Sequence, residues 1–457
     1  MLSCDGAPAA DGLRAGGNAV VQVASGTAAH IIAATLWLAN GILIGRMLGP
    51  SGKGMYAAVT AAIMLVVYLG EFGMGMGLSY AVARNRRSWG PAMVSSLLLA
   101  ALTGTAAAIA VQLLPSSLIE RLIPARAVPY TRLLVWLAPV EIACIYLVMQ
   151  LRGRLHISRF GLVTVARPLL VLMGALAFFR ISGVSVQAAL TGWAAGLGLT
   201  LLVCVLLASR SCTWDWRECR LTLLQGAGFA RRTYVGSVLG FVRWRLGVLL
   251  CAGLAGATCA GLFSVALALV EGILLVSRGV VTVILPRAAK AAQGDQEGLP
   301  ACIPRTVLAA TAVGWCIVIL VGKPLVVWAY GPGFAAAAVA LAPLTPAVLL
   351  SAFSRMYGQQ LAGRGHPWAL SVSEAAACGV FVLMSILLLP GLGVLGVSLA
   401  ASAGHLVGAL IIALWAGRAV GLRLIDTLPR WDDIATVRAY SRAAMGLRLG
   451  GSSGHAS

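Results

Sequence analysis

Apolar residues run along this chain in blocks of about twenty, separated by short polar interruptions. A helix rises about 1.5 Å per residue, so about twenty residues cross the ~30 Å hydrocarbon core of a bilayer. The pattern predicts about twelve spanning helices, over residues 18–45, 56–82, 91–114, 129–150, 160–180, 186–208, 232–254, 262–286, 306–329, 337–361, 367–389 and 392–416. The longest polar interruption, SRSCTWDWRECRLTLLQGAGFARR, follows the sixth block. It divides the chain into a six-helix lobe over 1–208, a cytoplasmic linker over 209–231 and a second six-helix lobe over 232–417. A basic cytoplasmic tail follows over 418–457.

Composition agrees with the pattern. The chain is 60% hydrophobic and 11% charged, whereas soluble domains carry about 25% charged residues. So few charges cannot cover a water-facing surface, so the expected fold class is an all-α integral membrane protein. The formal charge of +20 does not point to nucleic acid, because the bases cluster between apolar blocks. One set of connections holds Arg84, Arg86, Arg87, Arg152, Arg154, Arg159 and Arg210, with further bases in later alternate connections and the tail. The other set is poor in bases. The rule that basic loops stay inside places both termini in the cytoplasm. The polar N-terminus lacks the basic-then-apolar order of a cleaved signal peptide. The scattered cysteines and the absence of any His/Cys cluster predict no disulfide, no metal and no cofactor.

One short stretch, RMLGPSGKGMYAAV, has the look of a phosphate loop. A phosphate loop needs glycine five residues before the Gly-Lys pair and Ser or Thr after it. Here Met47 and Gly54 stand at those places. The stretch recurs instead. Gly49, Gly54 and Tyr56 align at one offset with Gly256, Gly261 and Phe263, each time between the first and second helix of a lobe. A tight turn made by glycine and proline, with an aromatic at the membrane interface, explains both copies. Duplicated lobes are a transporter plan in which substrate binds between the repeats.

The same residues resemble a known family. RMLGPSGKGMYAA and GEFGMGMGLSYAVAR resemble the first two helices of polysaccharide flippases of the multidrug/oligosaccharidyl-lipid/polysaccharide exporter superfamily. FVRWRLGVLLCAGLAGATCAGLFSVALALVEGILLVSRGVVTVILPRAA, WAYGPGFAAAAVAL, QQLAGRGHP and TLPRWDD resemble later segments in the same order. The resemblance implies a two-lobed carrier with a central cavity, in a bacterial inner membrane. Such carriers move a polyprenyl-diphosphate-linked oligosaccharide outward by alternating access. A polysaccharide polymerase or export machinery would be a partner, besides membrane lipids. The family often has an acid in the seventh helix, where this chain reads Arg245-Leu246-Gly247.

An ionisable residue inside a span is costly, so it faces a cavity or a partner. The candidate acids are Glu71, Glu141, Glu271 and Glu374, read as gating or coupling groups. The candidate bases are Arg167, Arg243, Arg245, Arg278 and Arg355, read as lining the cavity and binding diphosphate. Arginine suits that ligand because it stays charged and offers a planar fork of donors. Structural ion pairing is the alternative reading of each. Glu71 aligns with Arg278 across the repeat, so the two could form a gate between lobes.

The rival functions are a multidrug exporter, which would favour an acid-rich cavity, and a lipid II flippase, which tends to carry extra helices. A membrane-embedded polymerase or ligase would expose long loops with catalytic residues. Here the external connections are short and Glu120 is their only acid, so no enzyme is expected.

Overall fold

The computed structural model describes residues 10–84, 89–154, 156–209, 215–292, 302–364, 366 and 368–421. The basic tail beyond 421 lies outside them. Among the described residues there are helices and turns and no strand. The helices are α1 (Ala10–Gly70), α2 (Met74–Arg84), α3 (Trp89–Leu113), α4 (Ser116–Glu120), α5 (Val128–Leu134), α6 (Ala138–Gly153), α7 (Ile157–Ser182) and α8 (Val186–Ser209). After the break come α9 (Trp216–Leu254), α10 (Gly256–Ala292), α11 (Cys302–Tyr330), α12 (Leu341–Gly363), α13 (Trp368–Leu392) and α14 (Val394–Val420). A 3-10 turn, Pro332–Ala340, leads into α12.

Ten described segments are long and apolar enough to cross a membrane, so this is a multi-pass membrane protein. The outer surface agrees: Leu102, Leu113, Leu320 and Leu387 are each more than half exposed. Lipid can cover such residues where water would not. Without a hydrophobic drive between helices, close packing of small residues holds the bundle together. Buried alanines occur throughout its core, among them Ala58, Ala100, Ala266 and Ala400.

The structure departs from the sequence pattern in three places. The expected span over 56–82 is broken: α1 stops at Gly70 and α2 starts at Met74. The interruption holds two left-handed residues, Phe72 (φ 50) and Gly73 (φ 69). The stretch expected as a linker is helical from Trp216 onward and runs unbroken into the seventh span as α9. Asp215 caps it, accepting from the backbone N–H of Arg217 at 2.9 Å. Finally, Tyr56 and Phe263 face the protein core and not the outer surface. They are 8% and 1% exposed and sit in two hydrophobic cores. Helical spacing turns them inward, where an aromatic ring fills more volume than the turn could offer.

The two aligned turns are real turns. Gly49 has φ 67 and ψ −178 and interrupts α1. Gly256 has φ 85 at the junction of α9 and α10. Both conformations belong to glycine, and Pro50 then starts the next helical segment with its φ already set.

These turns also meet. A Cβ added to Gly54 would strike the carbonyl oxygen of Ala257, and one added to Gly261 would strike that of Pro50. Pro50 aligns with Ala257 as Gly54 aligns with Gly261, so the contact is reciprocal, as across a two-fold axis. Here α1 crosses α10 backbone to backbone. Beside the crossing, Arg46 donates from Nε to the carbonyl of Ala329 at 2.6 Å and from Nη2 to that of Trp328. Those carbonyls end α11, where helical partners run out. Lys53 lies 5.7 Å from the ring centre of Tyr330.

Gly54→Leu or Gly261→Leu must push two backbones apart, and overpacking of this kind costs about 1–3 kcal/mol or more. Thermal unfolding of the purified protein in detergent is expected to show a lowered midpoint for both. Gly198→Leu meets open space and is the control that leaves the midpoint in place.

Candidate functional site

Ionisable residues within the apolar helices fall into two groups. The first is built on the N-terminal helices. Glu141, one turn into α6, pairs with Arg167 on α7. Glu141 is almost wholly buried, whereas the Arg167 side chain is 25% exposed. Glu71 lies in the break between α1 and α2 and is 8% exposed. Its carboxylate accepts from the backbone N–H of Gly75, in the first turn of α2. An acid there is favoured by the open N–H groups and the positive end of the helix dipole. The other oxygen, Oε2, has no hydrogen-bond partner among the described residues, and neither do Glu141 Oε2 and Arg167 Nε. Three buried polar atoms without partners among the described residues call for water or a ligand.

Helical arithmetic then separates two neighbouring arginines. Residues two apart on a helix point about 200° apart, so Arg243 and Arg245 of α9 face opposite ways. Phe241 and Arg245, four apart, share a face. Phe241 stacks on Tyr68 of α1, with ring centroids 3.4 Å apart. Arg245 lies 5.4 Å from the Phe241 ring centre. The Tyr68 hydroxyl is within electrostatic reach of Arg167, Glu141, Glu71 and Arg245. Arg245 thus comes from the C-terminal helices to face the first charged group. Among the described residues it makes no ion pair. It is half-buried, with a ring beneath it.

The second group lies inside the C-terminal helices. Arg243 Nη2 is 2.9 Å from Glu374 Oε2 on α13, with both side chains more than nine-tenths buried. His405 of α14 is 2% exposed and packs against Trp244, ring centres 5.1 Å apart. A small cavity lies against Arg243, Trp244, Phe263, Phe381, Ala401 and His405. Arg243 and Arg355, the latter half-buried on α12, both act electrostatically on His405. Glu271 is half-buried on α10. The Arg278 side chain lies outside the described residues, so its gate with Glu71 does too.

The sequence-derived candidates are therefore sorted by partner. Arg167, Arg243, Glu141 and Glu374 form two ion pairs, one in each group of helices. Arg245, from the C-terminal helices, faces the group that holds Glu71. Sequence reading missed Tyr68, Phe241, Tyr146 and Tyr234, the aromatics that surround these charges. The four-residue spacing of Phe241 from Arg245 and the place of Tyr68 three residues before Glu71 were available signals; Tyr146 and Tyr234 offered none.

No known sequence family matches the chain, and no curated protein does. Solved structures do. One is the inward-facing conformation of a multidrug resistance MATE family transporter of the MOP superfamily, with TM-score 0.67 and 18% identity, covering 85% of this chain and 94% of that one. An outward-facing conformation of a transporter so described gives TM-score 0.59 at 18% identity, covering 88% and 95%. Lipid II flippase MurJ in an inward closed conformation gives TM-score 0.65 at 13% identity, covering 88% of each chain. The chain has the fold of these transporters.

Removing one member of a buried ion pair strands its partner, at about 3–5 kcal/mol. Glu374→Gln is accordingly expected to lower the unfolding midpoint in detergent sharply. The double variant Arg243→Met with Glu374→Leu, which leaves no stranded charge, is expected to recover most of it.

Proposed function

We propose that this chain is a flippase for a polyprenyl-diphosphate-linked oligosaccharide, working by alternating access between an N-terminal and a C-terminal six-helix lobe. The carrying observation is Arg245. It projects from α9 toward the N-terminal helices at mid-membrane, has an aromatic face beneath it and makes no ion pair among the described residues. A guanidinium held in hydrocarbon with its fork of donors open is matched by a ligand with phosphate oxygens. Both neighbouring arginines of known geometry, Arg167 and Arg243, already have carboxylates. The diphosphate role thus passes from the group of five to Arg245.

Translocation outward from the cytoplasmic face of the inner membrane follows from the proposed topology, with both termini inside. The reciprocal crossing at Gly54 and Gly261 closes one end of the bundle among the described residues. In the proposed topology that is the outer end.

A specific observation also favours a second reading. The buried, unpartnered oxygens of Glu71 and Glu141 would suit the cationic substrate of a multidrug exporter. MurJ, described as a lipid II flippase, supports the lipid-linked substrate class instead.

In cells lacking this protein, completed diphosphate-linked saccharides should accumulate on the cytoplasmic face. The native chain should relieve that accumulation, Arg245→Ala should relieve it at least about tenfold less, and Arg245→Lys should fall between. The comparison is made by lipid extraction after surface labelling. Full relief by Arg245→Ala, or sensitivity to cationic drugs without accumulation, contradicts the reading.

A further inference from the structure

The break in the second span is held open from both sides. Tyr146 of α6 donates its hydroxyl to the backbone carbonyl of Glu71 at 2.9 Å. Tyr234 of α9 donates to the backbone carbonyl of Leu69 at 3.0 Å. In an uninterrupted helix Leu69 O would accept from the N–H of residue 73, and Glu71 O from that of residue 75. Inside a bilayer an unpaired carbonyl is strongly disfavoured, so these groups must have some donor. The tyrosines supply it. The present state also makes use of the Gly75 N–H, which the Glu71 carboxylate occupies.

Conformation and packing agree. Phe72, a non-glycine residue, has φ 50, and Gly73 has φ 69. A non-glycine residue in this region is held there by its surroundings. Tyr234 is those surroundings. A Cβ on Gly73 would come within 3.3 Å of the Tyr234 Cβ, and the Phe72 and Tyr234 rings are 6.1 Å apart.

We propose that the segment joining α1 to α2 is a two-state element: broken while Tyr234 holds the Leu69 carbonyl, and a continuous helix when α9 moves away. Both backbone carbonyls keep a donor in either state. Leu69 O trades the Tyr234 hydroxyl for the Gly73 N–H. Glu71 O trades the Tyr146 hydroxyl and the Met74 N–H, now 3.0 Å away, for the Gly75 N–H. The Glu71 carboxylate thereby loses its backbone donor and is released from the first turn of α2. Separation of the two groups of helices is thus converted into a change at the one acid in this break. Tyr234 is a positioning residue in this device and touches no substrate.

This inference rests on alternating access in the proposed function, but its test reads backbone conformation and not transport. The full chain is placed in lipid nanodiscs with carbon-labelled Phe72 and Gly73, and their Cα and carbonyl chemical shifts are measured. The native protein should show left-handed shifts for both. Tyr234→Phe removes one hydroxyl and keeps the ring; it should move the majority of the signal to helical shifts. Gly73→Ala should do the same at Phe72, because alanine disfavours the left-handed region. Unchanged left-handed shifts in both variants overturn the proposal, as do disordered shifts in place of helical ones. Either result leaves the flippase reading to its own test.

Discussion

A charge in hydrocarbon must find a partner, and the arrangement of this protein follows from how each mid-membrane charge does so. Two arginines and two glutamates are joined in ion pairs, Arg167 with Glu141 and Arg243 with Glu374. Replacing such pairs by apolar residues is often harmless, whereas stranding one member is not. They therefore tie α6 to α7 and α9 to α13 without consuming a substrate site. Outside the pairs stand, among others, Arg245 on one side and Glu71 on the other, with the stacked rings of Tyr68 and Phe241 between.

The contacts between the N-terminal and C-terminal helices form a graded series along the bundle. At the turns, Gly54 and Gly261 admit backbone against backbone. At mid-depth, aromatic pairs take over, Tyr68 with Phe241 and Phe72 with Tyr234. Further along α2, Gly77 again lies against the backbone of Gly226, and Tyr80 stacks on Phe229 at 4.6 Å. Few of these contacts are hydrogen bonds or ion pairs. An interface of small residues and rings can part and re-form with little unsatisfied polarity, which a moving carrier in lipid requires.

Much of the fold was legible in the sequence, because hydrocarbon thickness imposes one length on every span. The blocks over 91–114, 160–180, 186–208 and 392–416 fall on α3, α7, α8 and α14. The break at Glu71–Gly73 was not legible, since apolar periodicity is indifferent to whether Phe72 is helical; two tyrosines distant in sequence decide it. The helical run from Trp216 was hidden by its charges, although Asp215 is a recognisable cap. At the site, the candidate charges were visible as rarities in apolar blocks, but their pairing was not. Arg243 and Arg245 look equivalent in sequence. Only the positions of Glu374 and Tyr68 show which one is neutralised and which one faces the other helices.

The most direct test of the central claim is translocation in proteoliposomes containing only the purified chain and a fluorescent polyprenyl-diphosphate saccharide. Loss of outer-leaflet fluorescence to a membrane-impermeant quencher reads the flip. The account predicts protein-dependent flipping of the diphosphate lipid, with the monophosphate and a cationic dye left where they are. Transport of the dye with no movement of the diphosphate lipid would contradict it.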